Sequence, residues 1–134
     1  KYAQYRFFAY VSSMYHKCEI LISESIPGKS GKKHKVPIAV KNNGMYIAIG
    51  FNKPTGHAVS KKDIQKFYEI ANDVKDGEHG TQLVDAIFAS SAGFKGEAVV
   101  ELEKLSKMDV SETEFKLNFK TANFENRIYS VTKC

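Results

Sequence analysis

A chain of 134 residues suits one domain with a core of its own, and 43% hydrophobic with 26% charged residues is ordinary for a soluble globular protein. No apolar run approaches the ~20 residues of a membrane-spanning helix. The two cysteines, Cys18 and Cys134, sit in no CxxC or Cys/His spacing, so neither a disulfide framework nor a zinc site is implied.

Two free thiols are expected of an intracellular protein, with cytoplasm, nucleus and organelle left open. The first residue is Lys1, as expected of a fragment of a longer chain. The formal charge of +5 is unevenly shared. Residues 1–62 carry 11 Lys/Arg against Glu19 and Glu24, a balance of +9, and residues 63–134 carry 9 against 13 acids, a balance of −4. Such segregation points to a polyanionic partner for the basic half. Lysine outnumbers arginine 18 to 2, so bidentate guanine contacts are scarce and any nucleic-acid binding rests on phosphates.

Along the chain, "YAQYRFFAYVSSMYH" (Tyr2 to His16) has Tyr5, Phe8, Ala9, Ser12 and Tyr15 or His16 near helical spacing, which predicts a largely buried helix. "CEILISESI" alternates Cys18, Ile20 and Ile22 against Leu21, a strand pattern. "PGKSGKKHK" is a basic turn-forming loop with four lysines and His34. "VPIAV" (Val36 to Val40) is a short strand in which Pro37 implies an edge position or a strand start. Asn43-Gly44 is a hairpin turn, and "YIAIGF" (Tyr46 to Phe51) is the next strand.

Ser60 opens a helix, and Asp63 completes a capping-box-like start. Ile64, Phe67, Tyr68, Ala71 and Val74 form its apolar face. "LVDAIFA" (Leu83 to Ala89) is a strand buried on both faces. A helix from about Lys95 to Lys107 should bury Ala98, Val99, Leu102 and Leu105. Phe115, Leu117 and Phe119 then alternate, as do Ile128 to Val131, and "TANFE" between them can close a terminal hairpin over about 114–132. A three-stranded meander followed by a βαβ crossover predicts an α/β fold: a mixed sheet flanked by helices in the order αβββαβα, plus the hairpin.

His16 reads as a structural residue, and His34, His57 and His79 fall in predicted loops without HExxH-like spacing. The lysines carry the stronger functional signal. Lys29, Lys32, Lys33, Lys35 and Lys41 surround the first hairpin, while Lys53, Lys61 and Lys62 lie at the next strand end and helix start. Lys61 and Lys62 at a helix N-terminus oppose the dipole, a conflict that a bound phosphate would relieve.

The order of elements, with "AVSKKDIQKFYEIAND" and "IFASSAGFKGEAVVELEK" at these spacings, resembles the restriction-endonuclease-like, or PD-(D/E)xK, superfamily. It is most similar to Mrr-type enzymes and their archaeal Holliday-junction-resolvase relatives. The resemblance covers about residues 2–107 of a single domain, 1–134, and implies a hairpin strand carrying Asp and a following strand carrying Glu-x-Lys. The counterparts here are Pro37, Gly50 and Asn52. None of these can help hold Mg²⁺ or activate water as the family's carboxylates and lysine do. A one-residue shift brings Lys53 near the lysine position but puts Phe51 in place of the Glu. Glu19, Glu24 and Asp63 are the acids available to a migrated site, and Asp63 has a sufficient role as a cap.

The resulting expectation is a catalytically inactive nuclease-like domain, with no metal, cofactor or membrane partner, that binds DNA non-specifically through its lysines. Two alternatives stand beside it. One is a protein-assembly or homodimerisation module, and the other is an active metal-dependent nuclease with a migrated site.

Overall fold

Asn43 and Gly44 set the turn between the second and third strands. Both adopt positive φ, 55° and 80°, the left-handed geometry of a two-residue hairpin turn. The computed structural model of the chain describes residues 2–53, 57–107 and 117–123, with side chains from Arg6 onward. Its elements are α1 (Tyr2–Met14), β1 (Glu19–Pro27), β2 (Lys33–Asn42), β3 (Met45–Lys53), α2 (Lys61–Asp76), a 3₁₀ turn (Glu78–Gly80), β4 (Asp85–Ser90), α3 (Gly96–Ser106) and β5 (Asn118–Asn123). The strands form one five-stranded sheet in the order β1-β2-β3-β4-β5. The β1–β2 and β2–β3 pairs are antiparallel, whereas β3–β4 and β4–β5 are parallel. The fold is therefore a mixed α/β sheet flanked by helices. Every position of β4 is buried, but the strand is Asp85–Ser90, so Leu83 and Val84 of the predicted run precede it and Val84 is 46% exposed.

Pro37 departs from its expected edge position, since β2 lies between β1 and β3. The ladder accommodates the proline because pairing is interrupted around it. Ile22↔Ile38 and Glu24↔Val36 flank Ser23 and Pro37, which do not pair, and Ser23 has φ 58°. Pairing of β2 with β3 reaches no further than Ile38↔Gly50. Side-chain alternation also changes here. Ile38 faces one core and Val36 the other, and Ile22 is 55% exposed instead of sharing a buried face with Ile20. The basic segment is partly strand, because β2 begins at Lys33.

The predicted terminal hairpin is also different. Its first arm is β5, which runs parallel to β4 through Thr121↔Phe88 and Asn123↔Ser90, so the expected turn at Thr121 to Asn123 is strand. Phe115, the second arm at 128–132 and Cys134 lie outside the described residues, as do the side chain of Tyr5 and residues 54–56.

Two apolar layers cover the sheet. On one face α1 packs Phe7 and Val11 against Ile38, Val40, Ala48, Ile87, Ala89 and Ala122. The buried stripe of α1 is thus Phe7–Val11, with Ala9 and His16 exposed and Phe8 and Tyr15 half-buried. A helix that is apolar all round does not encode by its period which stripe turns inward. On the opposite face α2 and α3 cover Ala39, Ile49, Ala86 and Phe88, and all five predicted core residues of α2 are buried. In α3 the expected Val99 is 48% exposed, and Glu101 is buried instead. Glu101 is tolerated there because it accepts from Gln65 Nε2 at 3.1 Å and lies 4.0 Å from Lys61 Nζ.

Candidate nucleic-acid interface

The segments preceding α2 and α3 meet in space. Val59 and Phe94 form a parallel bridge, with Val59 N–H donating to Gly93 O at 2.9 Å and Lys95 N–H to Val59 O at 2.9 Å. The two sequence motifs that open these helices are therefore one structural unit. Ser60 caps α2, and its own backbone N–H donates to Asp63 Oδ2 at 2.9 Å, completing the capping box. Asp63 also accepts from Lys53 Nζ. Burial pushes the Asp63 carboxyl up, but hydrogen bonds from Lys53 and Ser60 outweigh it and hold the group below the usual carboxylate range. Asp63 is thus an ionised, committed cap.

The three motif positions separate across the sheet. Gly50 faces α1, and a Cβ built on it would lie 2.6 Å from Phe7 Cζ. Phe7 is fully buried, so its ring fills the space that a longer side chain at position 50 needs. Pro37 and Asn52 instead line a depression of about 270 Å³ with Lys35, Phe51, Asp63, Lys66, Phe67, Ile70 and Phe88. Glu24 accepts from Tyr46 Oη at 2.6 Å, and Glu19 is exposed. Burial, then the bond to Glu24, pushes the Tyr46 phenol up to about 12. Among the described residues no group of three or more His, Cys, Asp or Glu is placed to hold a metal ion.

The basic residues fall in several places. Lys32 lines an adjoining depression of about 410 Å³ with Ser30, His34, Lys66, Glu69, Ile70 and Asp73. Lys66 and Ile70 belong to both depressions, which makes one groove along α2 and the first half of β2. Lys33 and Lys41 line a different depression with Tyr46, Glu78 and His79, and the Lys41 ammonium sits 4.8 Å from the Tyr46 ring centroid. Lys53 is bound to Asp63.

Lys61 and Lys62 are exposed at the α2 N-terminus. The conflict expected there is already relieved from α3: Lys61 N–H donates to Glu97 Oε2 at 3.2 Å, and Glu101 stands near the Lys61 ammonium. Lys29 is exposed in the β1–β2 connection. Among the described residues neither Lys35 nor Lys66 forms an ion pair.

His34 and Lys66 carry more than the sequence suggested. His34 lies on β2 and contacts Asp73 Oδ2 through Nε2 at 2.7 Å. Ser30 Oγ donates to the same oxygen at 2.7 Å, Ser30 N–H donates to Asp73 Oδ1 at 2.9 Å, and Lys29 N–H donates to Asp73 O at 2.9 Å. Burial raises the Asp73 carboxyl, but the bonds from His34 and Ser30 prevail and hold it low. Both side chains meet the carboxylate, so no histidine stands between serine and aspartate as a nucleophilic triad requires. The cluster instead ties the lysine-bearing connection to α2. Lys66 follows Lys62 by four residues and so shares its helix face, the one sequence signal that could have found it.

No family model and no curated protein matches the chain. Among solved structures it is similar to the crystal structure of AF1548, described as a protein of unknown function. The TM-score is 0.62 at 12% identity, over 97% of this chain and 66% of that one. The chain thus spans just under two thirds of that protein's length. At this identity the likeness shows the fold alone.

Proposed function

We propose that this is a nuclease-like domain without nuclease chemistry, which holds DNA non-specifically through its lysine-lined groove. The observation that carries the reading is the groove along α2. It holds the Pro37 and Asn52 positions beside Lys35 and Lys66, while its Asp63 carboxylate is committed to Ser60 and Lys53. Lys35 and Lys66 there can meet phosphates and the committed Asp63 offers little to a hard cation, while in the adjoining depression Lys32 stands with Glu69 and the bonded Asp73. The element order and the paired segments before α2 and α3 support the restriction-endonuclease-like reading of the fold. The Phe7 ring against Gly50 supports the loss of catalysis, because an acid cannot enter there without displacing it.

The test is a fluorescence-anisotropy titration of labelled duplex DNA at several salt concentrations, first in EDTA and then in Mg²⁺. Three phosphate contacts, from Lys32, Lys35 and Lys66, give a log–log salt slope of about −2.7 and a loss of roughly 40-fold between 50 and 200 mM salt. The DNA stays intact in Mg²⁺. Cleavage in Mg²⁺ that depends on Glu19 or Asp63 would restore the migrated-site nuclease, and absence of binding at low salt would remove the DNA reading.

The assembly alternative has an observation of its own, the exposed Val99 and Val100 on α3, 48% and 64% accessible. Mass that rises with concentration, without DNA affinity, would favour it.

A further inference from the structure

We propose that the depression holding Pro37 and Asn52 is a pocket for one unpaired nucleobase, so that the domain binds single-stranded DNA more tightly than duplex. The proposal rests on the DNA-holding reading and names the form of DNA that the same site takes. Its lining combines two chemistries. Half-buried Phe51 supplies the accessible ring of an apolar wall, and the core rings of Phe67 and Phe88 back it, with Phe67 centred 5.6 Å from Phe51 and 5.1 Å from Phe88. Lys35 and Lys66 stand in the same lining and, among the described residues, form no ion pair. Asn52 adds a carboxamide, which can both donate to and accept from a base edge.

A phosphate alone has no use for the aromatic wall, and a purely apolar ligand has none for the lysines. A nucleotide presents both an apolar ring face and an adjacent anion, and single strands are held in this way by stacking platforms along cationic grooves. Size narrows the choice. At about 270 Å³ the depression falls just below the roughly 300 Å³ at which drug-sized ligand pockets begin, which leaves room for one ring system. A base within a continuous duplex has both faces stacked, so only an unpaired or extruded base can enter. The adjoining depression carries Lys32 and shares Lys66 beside Glu69 and the Ser30- and His34-bound Asp73, so Lys32 and Lys66 are the groups there that can meet flanking phosphates.

The experiment compares four ligands by anisotropy and competition, with the intact chain in EDTA: a short labelled single strand, the same strand with abasic positions, the matched duplex, and a free nucleoside monophosphate. The single strand should bind at least about five-fold more tightly than its abasic form, the low end of what base–aromatic stacking contributes. It should also bind more tightly than the duplex. Asn52→Phe, which fills the depression, should abolish the preference for the normal over the abasic strand, with far-UV circular dichroism reporting the fold.

Equal affinity for normal and abasic strands on the unmodified chain, with duplex binding intact, would overturn the base pocket and leave the DNA-holding reading standing. Absence of binding to every strand would overturn both. Tighter binding of the free monophosphate than of the strand would overturn the assignment to a strand-borne base.

Discussion

Gly50→Ala is the sharpest probe of how closely Phe7 packs on β3. Gly50 lies inside the sheet, paired with Ile38 on β2 and Ile87 on β4, and a methyl there would meet Phe7 Cζ at 2.6 Å and Cε2 at 3.3 Å. Its φ is not positive, so without Phe7 the substitution would stabilise by about 0.4–1 kcal/mol through the unfolded chain. The ring is a side-chain end, which ordinarily moves at little cost. Here it is fully buried among Val11, Ile38, Ala48 and Ile87, and overpacking such a site costs about 1–3 kcal/mol.

The steric cost exceeds the entropic gain, and the expected net loss is about 1–2 kcal/mol. Urea unfolding measures it. Phe7→Leu, which vacates the ring, should cost stability alone, yet the double variant should lose at least about 0.5 kcal/mol less than the two single losses added together. Additive losses, or a Gly50→Ala variant as stable as the parent chain, would refute the argument that the Phe7 ring fills the space over Gly50.

Ser60→Ala should lower stability by about 1 kcal/mol in the same assay, because it removes one half of the capping box, and Ser60→Thr should restore most of it. Asp73 is held below the carboxylate range, so its contribution is present above the unfolded value near pH 4 and fades as pH falls through the lowered folded value. Asp73→Asn should therefore flatten the acid side of a stability–pH curve, and an unchanged curve would count against the Ser30–His34–Asp73 anchor. The Tyr46 phenol is raised to about 12, so its contribution is complete below about pH 10 and is lost as pH rises through about 12. Ultraviolet titration of the chain against its Tyr46→Phe variant should show this late ionisation. Glu24→Gln should move it earlier without returning it to 10, since burial is the larger cause. Lys66→Ala and Lys35→Ala should each lower the salt slope of DNA binding by about 0.9.

Wherever local signals act alone, the sequence reads well. The capping box at Ser60 and Asp63, the i, i+3, i+4 stripe of α2 and the Asn43–Gly44 turn are each encoded within a few residues and appear as expected. The apolar stretch Ala86–Ala89 of β4 likewise reports burial on both faces, whereas Val84, in the same predicted run, is exposed. Period alone did not choose the inward stripe of α1, because Phe7, Phe8, Tyr10, Val11 and Met14 are spread around the helix and the sheet selects among them. Nor did it reveal that Glu101 is buried, since the partners that allow it, Gln65 and Lys61, come from another helix.

The candidate site divides in the same way. That positions 37, 50 and 52 carry Pro, Gly and Asn, and that the chain is rich in lysine, is plain in the sequence itself. That Phe7 closes the space at Gly50, that Asp63 and Lys53 satisfy each other, and that Asp73 ties down the basic connection are contacts across 10 to 43 residues of sequence. Only the tertiary structure divides the lysines into separate groups and brings Lys66 beside Lys35 and Lys32, because charge is written in the chain but its neighbours are chosen by packing.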